Sequence, residues 1–237
     1  MNVCVILPTY NERENVKQLV PSILRSDLSC ELHVLVVDDN SPDCTADEIR
    51  YLQKTFQKLH LLQREKKQGL GAAYIAGFKH ALATLAPDVL LEMDADFSHD
   101  PADIPRLLAA IRQGAGLAIG SRYIPGGGIV GWNRWRRSVS GGGNLVSRMF
   151  TRLPVKDCTA GFRAWRASTL RSIDLDSLGV SGYAFQISIL HAAWRRGCVI
   201  KEVPVKFTER RQGTSKLGWK DIAEFFMTAF RLAFLRR

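Results

Sequence analysis

The sequence contains no Cys-x-x-Cys pair, and its five cysteines (Cys4, Cys30, Cys44, Cys158 and Cys198) are odd in number. That excludes a disulfide framework or zinc ribbon as the organising device. The thiols read as reduced and mostly buried, as in a cytosolic protein. No apolar run has the length of a membrane span. The uncharged stretch Ser177–Trp194 carries Gly179, Gly182, Gln186 and His191, so it reads as a loop and a buried helix. The opening run Met1–Pro8 is too short for a signal-peptide core and lacks a basic flank, so no leader is expected. Repeats and low-complexity tracts are also missing. Acidic residues are in deficit, 23 Asp and Glu against 33 Lys and Arg, for a net charge of +10. Such a balance favours a polyanionic partner: nucleotide phosphates, nucleic acid or an anionic membrane surface.

What remains is an ordinary globular composition, 46% hydrophobic and 24% charged over 237 residues, enough for one sizeable domain with a modest appendage. Short apolar runs predict strands at Val3–Leu7, Leu32–Val37, Leu59–Leu62, Val89–Met93 and Leu117–Gly120. A later strand is expected over Val199–Phe207, interrupted by Pro204 and so placed at an edge. Helix-favouring sequence lies between the early strands: Glu12–Arg25, a segment with a Thr45/Glu48 capping box, one from Gly69 through Leu85, and one from the N-cap Asp100 with Pro101 to Ile111. Alternation of this kind implies an α/β fold with a mostly parallel central sheet and helices on both faces. Ligands of such sheets bind at the carboxyl ends of the strands, where the polar clusters after Leu7, Val37, Met93 and Gly120 fall.

Four clusters carry candidate chemistry. Asp94-Ala95-Asp96 puts two carboxylates on one side of an extended segment, suited to a divalent cation shared with phosphates. Asp38-Asp39 could serve the ribose or base of a nucleotide, or cap a turn with Ser41 and Pro42. Pro8-Thr9-Tyr10-Asn11-Glu12 offers an aromatic face at Tyr10 and an acceptor at Glu12. The fourth cluster is basic: Arg122, Arg136, Arg210 and Lys216 together exceed what one diphosphate needs, and point to a second phosphate in the site. Gly213 and the Gly126–Gly128 run could let loops close over a substrate.

Seven stretches, in order, resemble the dolichyl-phosphate (polyprenyl-phosphate) mannosyltransferases of glycosyltransferase family 2: PTYNERENV from Pro8, VVDDNSPDCT from Val36, REKKQGLGAAYIAGFKHA from Arg64, MDADFSHDP from Met93, GSRY from Gly120, GYAFQI from Gly182 and ERRQGTSKLG from Glu209. The resemblance implies a GT-A nucleotide-diphospho-sugar transferase fold. It assigns Pro8, Tyr10, Glu12, Val37, Asp39, Asp94, Ala95, Arg210 and Lys216 to the nucleotide sugar. Asp94 and Asp96 would hold Mg²⁺ or Mn²⁺, with Ser98 standing where relatives often have Gln. Asp96 and Arg122 would be catalytic, and Arg122 and Arg136 would face an acceptor phosphate. The expected reaction is inverting transfer of mannose from GDP-mannose to a polyprenyl phosphate, which as an existing anion needs little or no general base.

The acceptor would come from a membrane, on its cytosolic face. Residues 1–217 read as the catalytic domain and 218–237 as a C-terminal amphipathic helix. Its Ile222, Phe225, Phe226, Phe230, Phe234 and Leu235 sit among Arg231, Arg236 and Arg237, which suits either a membrane interface or packing on the domain or a membrane-anchoring partner subunit. Trp132 and Trp135 fit either headgroup level or the core. Two rivals remain within the enzyme class. One is transfer of glucose or another sugar to the same acceptor; the other is a nucleotidyltransferase, which should show a glycine-rich phosphate loop where Pro8–Glu12 stands. A basic nucleic-acid-binding protein is the rival outside it, but here the basic residues alternate with acidic strand ends that would repel nucleic acid.

Overall fold

The computed structural model describes residues 1–178, 182, 184–209 and 219–234. Its core is a seven-stranded sheet. Five strands come from the first half: β1 (Asn2–Thr9), β2 (Glu31–Asp38), β3 (Leu59–Gln63), β4 (Val89–Glu92) and β5 (Leu117–Ser121). β6 (Gly128–Val130) lies outside it; β7 (Arg163–Arg166) and β8 (Ile200–Pro204) complete it, and β9 (Lys206–Thr208) pairs with β6 in a small parallel sheet. The order is β3-β2-β1-β4-β7-β5-β8, parallel throughout except for β7, which runs against both β4 and β5. β8 forms the edge, as Pro204 implied. The expected Val199–Phe207 strand is two strands in different sheets, parted at Val205.

The parallel strands are apolar on both sides because helices cover both faces. Along β1, Val3, Val5 and Leu7 enter one cluster and Cys4 and Ile6 the other, the two-residue period of a strand. Helices α1 (Arg13–Leu24), α2 (Thr45–Gln53) and α4 (Ile104–Arg112) cover the first face. The second is covered by α3 (Leu70–Thr84) and α7 (Ala184–Arg195), with the short α6 (Ala167–Arg171) following β7. α3 can lie close because Gly77 faces the sheet: a Cβ there would stand 2.6 Å from Ile6 Cγ2 and 2.9 Å from Val37 Cγ2. α5 (Arg134–Thr151) packs against α8 (Trp219–Phe234), and α8 against α7.

Asp100 caps as expected, accepting from the Ala102 N–H at 2.9 Å through a 3₁₀ turn that leads into α4. The Thr45/Glu48 capping box does not form. Cys44 occupies the cap position in a left-handed conformation (φ 63°), and Thr45 turns its N–H and hydroxyl to the Asp43 carboxylate. Asp43 is the nearer acceptor and takes the Thr45 N–H that Glu48 would have accepted, while the Glu48 N–H goes to the Cys44 carbonyl at 3.2 Å.

Candidate active site

The carboxyl ends of β1, β2 and β4 open on one cleft of about 250 Å³, lined by Pro8, Tyr10, Glu12, Asp39, Asp94, Ala95 and Asp96. Beyond β4 the chain turns at Phe97, a left-handed residue (φ 63°). That conformation costs a bulky L-residue about 1–2 kcal/mol. It bends the backbone so that the Ser98 N–H returns to Asp96 Oδ1 at 3.0 Å. Asp94 Oδ1 accepts from the buried Tyr74 hydroxyl at 3.3 Å. Burial, and then the Asp94 charge, push the Tyr74 phenol well above its ordinary range, so it stays a donor. The Asp94 backbone N–H donates to His99 Nδ1 at 3.2 Å. Burial lowers His99 to about 4, so the ring is neutral at pH 7 and carries its proton on Nε2.

Asp38 and Asp39 part company. Asp38 is fully buried and serves the turn, accepting from the Thr9 hydroxyl at 3.0 Å and the Ser41 N–H at 2.9 Å. Asp39 faces the cleft, paired with Arg64 Nη1 at 2.8 Å and accepting from the Gln68 N–H at 3.3 Å. Its carboxyl lies above the ordinary range, because burial outweighs the Arg64 charge. Glu12 Oε2 accepts from Asn15 Nδ2 at 2.7 Å. Lys67 lies over the Tyr10 ring, 4.1 Å from its centre. Val37 is fully buried behind the cleft, with its carbonyl directed to the Thr9 hydroxyl.

The basic half is built differently. Arg122, at the end of β5, forms a two-pronged pair with the fully buried Asp157: Nε donates to Oδ2 at 2.7 Å and Nη2 to Oδ1 at 2.6 Å. The Arg122 N–H reaches Oδ2 at 3.0 Å, and Nη2 also donates to the Thr159 hydroxyl at 2.7 Å. Burial alone would raise Asp157, but the Arg122 charge and its bonds hold it below the ordinary carboxylate range. Around Arg122 stand Tyr123, Trp132 and Phe207. Arg136, on the first turn of α5, lies 4.2 Å from the centre of the Trp132 ring and pairs with Glu209 at 2.9 Å. Thr208 donates its N–H to the Ser98 carbonyl at 3.1 Å, tying the small sheet to the carboxylate turn.

Sequence reasoning passed over Lys67, Gly69, Leu70, Ala73 and Gly182, which also line the cleft. Gly69 carried a signal: its φ of 95° and ψ of 163° belong to a region open essentially to glycine alone, and it starts α3. Asp157 carried none beyond being an isolated acid. Arg210, Lys216 and Gly213 lie outside the described residues.

Two carboxylates from one turn fit a hard divalent cation. The Ser98 hydroxyl, buried beside them, has no hydrogen-bond partner among the described residues and can supply another oxygen. Among the described residues no group of three or more acidic, His or Cys side chains could hold a metal by itself. The remaining ligands would therefore be phosphate oxygens and water, the usual arrangement for Mg²⁺.

A mostly parallel sheet with paired carboxylates and a separate arginine cluster at its loop edge is the layout of an α/β protein that takes its ligands at the strand ends. Residues 4–174 match the model of glycosyl transferase family 2. The chain belongs to that family and is a glycosyltransferase. It is 46% identical over 225 residues to the polyprenol monophosphomannose synthase of Mycolicibacterium smegmatis, covering 93% of this chain and 82% of that one. It is 46% identical over 231 residues to the undecaprenyl-phosphate mannosyltransferase of Micrococcus luteus, covering 98% and 93%. The dolichol-phosphate mannosyltransferase of Pyrococcus furiosus is 37% identical, over 98% of this chain and 64% of its own length. Among solved structures, glucosyl-3-phosphoglycerate synthase from Mycobacterium tuberculosis, with Mn²⁺, UDP-glucose and phosphoglyceric acid, superposes with a TM-score of 0.71. It covers all of this chain and 81% of its own at 18% identity, a likeness of fold alone. The expected GT-A architecture is thus the observed one.

Proposed function

We propose that this glycosyltransferase moves mannose from GDP-mannose to a polyprenyl phosphate, with Mg²⁺ or Mn²⁺ and with inversion at the anomeric carbon. The observation that carries the reading is the division of the site. Asp94 and Asp96 share a cleft with Tyr10, Glu12 and Asp39, while Arg122 and Arg136 stand as a second, basic cluster. One cluster suits a nucleotide diphosphate and the other a second phosphate. The mannosyltransferase relatives named above support mannose as the sugar and a polyprenyl phosphate as its acceptor.

In this reading Tyr10 and Asp39 hold the base and ribose, with Lys67 alongside. Asp94 and Asp96 would hold the metal, which would offset the charge of the departing diphosphate. Tyr74 and the His99 ring keep Asp94 in place; the Ser98 N–H does the same for Asp96. Arg210 and Lys216 contact donor phosphates. Arg122 and Arg136 bring the acceptor phosphate up to the anomeric carbon. An acceptor phosphate oxygen forms the new bond, the bond to GDP breaks, and no protein group need take a proton, because the attacking oxygen is already anionic.

The same reading places the enzyme at the surface of an anionic membrane, with residues 218–237 as an interfacial appendage to a catalytic domain of residues 1–217. α5 is inside out for a water-soluble helix. Its buried side carries Asn144, Ser147 and Thr151, and its exposed side carries Trp135 (74% exposed), Leu145, Met149 (71%) and Phe150. α8 continues this apolar surface with Met227, Phe230 and Phe234, and Phe150 meets Phe230 edge-on at 5.9 Å. Arg134, Arg137 and Arg148 flank it, the pairing of apolar area and positive charge that anionic lipid favours. No helix among the described residues is long and apolar enough to cross a membrane.

The test is a donor panel of GDP-mannose, GDP-glucose and UDP-glucose, offered with Mn²⁺ or Mg²⁺ and a short polyprenyl phosphate. β-Mannosyl phosphate formed from GDP-mannose alone is the expected product. Folded protein that transfers no sugar from any donor would defeat the proposal.

A further inference from the structure

Trp132 meets both arginines of the basic cluster. The Arg136 guanidinium carbon lies 4.2 Å from the centre of its ring, and that of Arg122 lies 5.8 Å away. Phe207 packs edge-on against it at 5.3 Å and meets His99 in turn at 5.5 Å. A row of rings therefore runs from the Asp94 backbone, held by His99, to the two guanidinium groups. The faces of these rings are accounted for by cation and aromatic contacts.

The indole nitrogen is not. Trp132 Nε1 is shut off from solvent and has no hydrogen-bond partner among the described residues. A tryptophan N–H can only donate, and a buried donor without an acceptor is a standing penalty on the folded state. Phenylalanine would keep an aromatic face for the arginines and avoid that penalty, so packing does not explain the nitrogen. Its charged neighbours narrow the choice of acceptor. Arg122 already gives Nε and Nη2 to Asp157, and Arg136 is paired with Glu209 across an exposed contact that solvent weakens. An incoming anion with several acceptor oxygens can take Arg136 from Glu209 and still present an oxygen to the indole. A phosphate monoester has that form.

We infer that Trp132 is a binding residue for the acceptor phosphate, its Nε1–H donating to one oxygen while Arg136 holds another. The inference rests on the proposed role of this cluster as the acceptor site. In the full-length enzyme with saturating donor and Mn²⁺, Trp132→Phe should raise the KM for a short, water-soluble isoprenyl phosphate about tenfold, the scale of one lost charge-assisted hydrogen bond. The donor KM should be unchanged and Tm equal or higher, since an unpaired donor has been removed. An acceptor KM within twofold of wild type would overturn the inference, as would a fall in Tm with both KM values rising together.

Wild-type protein that transfers no sugar would defeat the transfer reading instead, and a binding measurement then decides this one. In ¹⁵N-indole-labelled protein, the Trp132 Nε1–H resonance, identified by its loss in Trp132→Phe, should shift on adding isoprenyl phosphate but not the matching alcohol. A resonance unmoved at saturating phosphate would overturn it.

Discussion

Replacing Asp157 by asparagine changes one oxygen to nitrogen and tests the basic half of the site most directly. The wild-type carboxylate is fully buried and accepts three bonds from Arg122, whose side chain is 7% exposed. Breaking a buried pair by removing one partner costs about 3–5 kcal/mol, because the surviving charge keeps its desolvation penalty without its counter-charge. For a chain of this length each kcal/mol shifts Tm by about 2 °C, so Asp157→Asn should melt about 6–10 °C below wild type at pH 7. The pH dependence has a definite sign. Asp157 is held below its unfolded value, so its contribution is complete above about pH 4 and is lost only as pH falls through the depressed value. Scanning calorimetry should therefore find a constant gap between wild type and variant from pH 8 to about pH 5. The gap should close at lower pH. Adding Arg122→Met should recover part of the loss, since no charge is then left stranded. A Tm drop under 2 °C at pH 7, or a gap that widens on acidification, would refute the argument.

Asp96→Asn keeps an oxygen for the Ser98 N–H and should leave Tm within about 2 °C of wild type. It should also abolish the tightening of GDP binding by Mn²⁺, on the order of tenfold or more, in isothermal calorimetry; metal-dependent binding that survives would remove Asp96 from the metal site. Met149→Asp with Phe230→Asp breaks the apolar face of α5 and α8 at two exposed positions. Co-sedimentation with anionic phospholipid vesicles should fall about tenfold or more, given roughly 1.5–3 kcal/mol for burying each such side chain. Transfer to a short soluble acceptor should continue, and vesicle binding equal to wild type would contradict the membrane assignment.

The strands that read clearly from sequence are those buried on both faces, where an unbroken apolar run stops abruptly at a polar cluster. β1, β2 and β4 are of this kind, and their polar ends are the cleft. β7 was invisible because half of Arg163–Arg166 is arginine. Arg163 is nevertheless fully buried, donating to the carbonyls of Gln186 and Cys158 at 2.8 Å each and paired in register with Glu92. Those partners are remote or irregular in sequence, so no local pattern announces them. The same holds for Asp157, whose role exists only through Arg122. The adjacent acids Asp38 and Asp39 show the finer limit: sequence supplied a turn role and a ligand role, and only three-dimensional placement divided them. Lys67 was within a recognised stretch, yet nothing local distinguishes it from its neighbour Lys66 as the one that turns over Tyr10. The C-terminal helix was seen as amphipathic, whereas α5 escaped notice because glycines 141–143 sit inside it and its apolar residues point outward.

The reversed direction of β7 has a mechanical consequence. In every other strand of the sheet the chain leaves at the cleft; in β7 it arrives there. Residues 152–162, which carry Asp157, are therefore a strap fastened at one end to α5 and at the other to the middle of the sheet. Asn144 of α5 pins it again, accepting from the Cys158 N–H at 2.7 Å and donating to the Thr159 hydroxyl at 3.1 Å. A tilt or sliding of α5 therefore acts on the strap, and so on the carboxylate that holds Arg122.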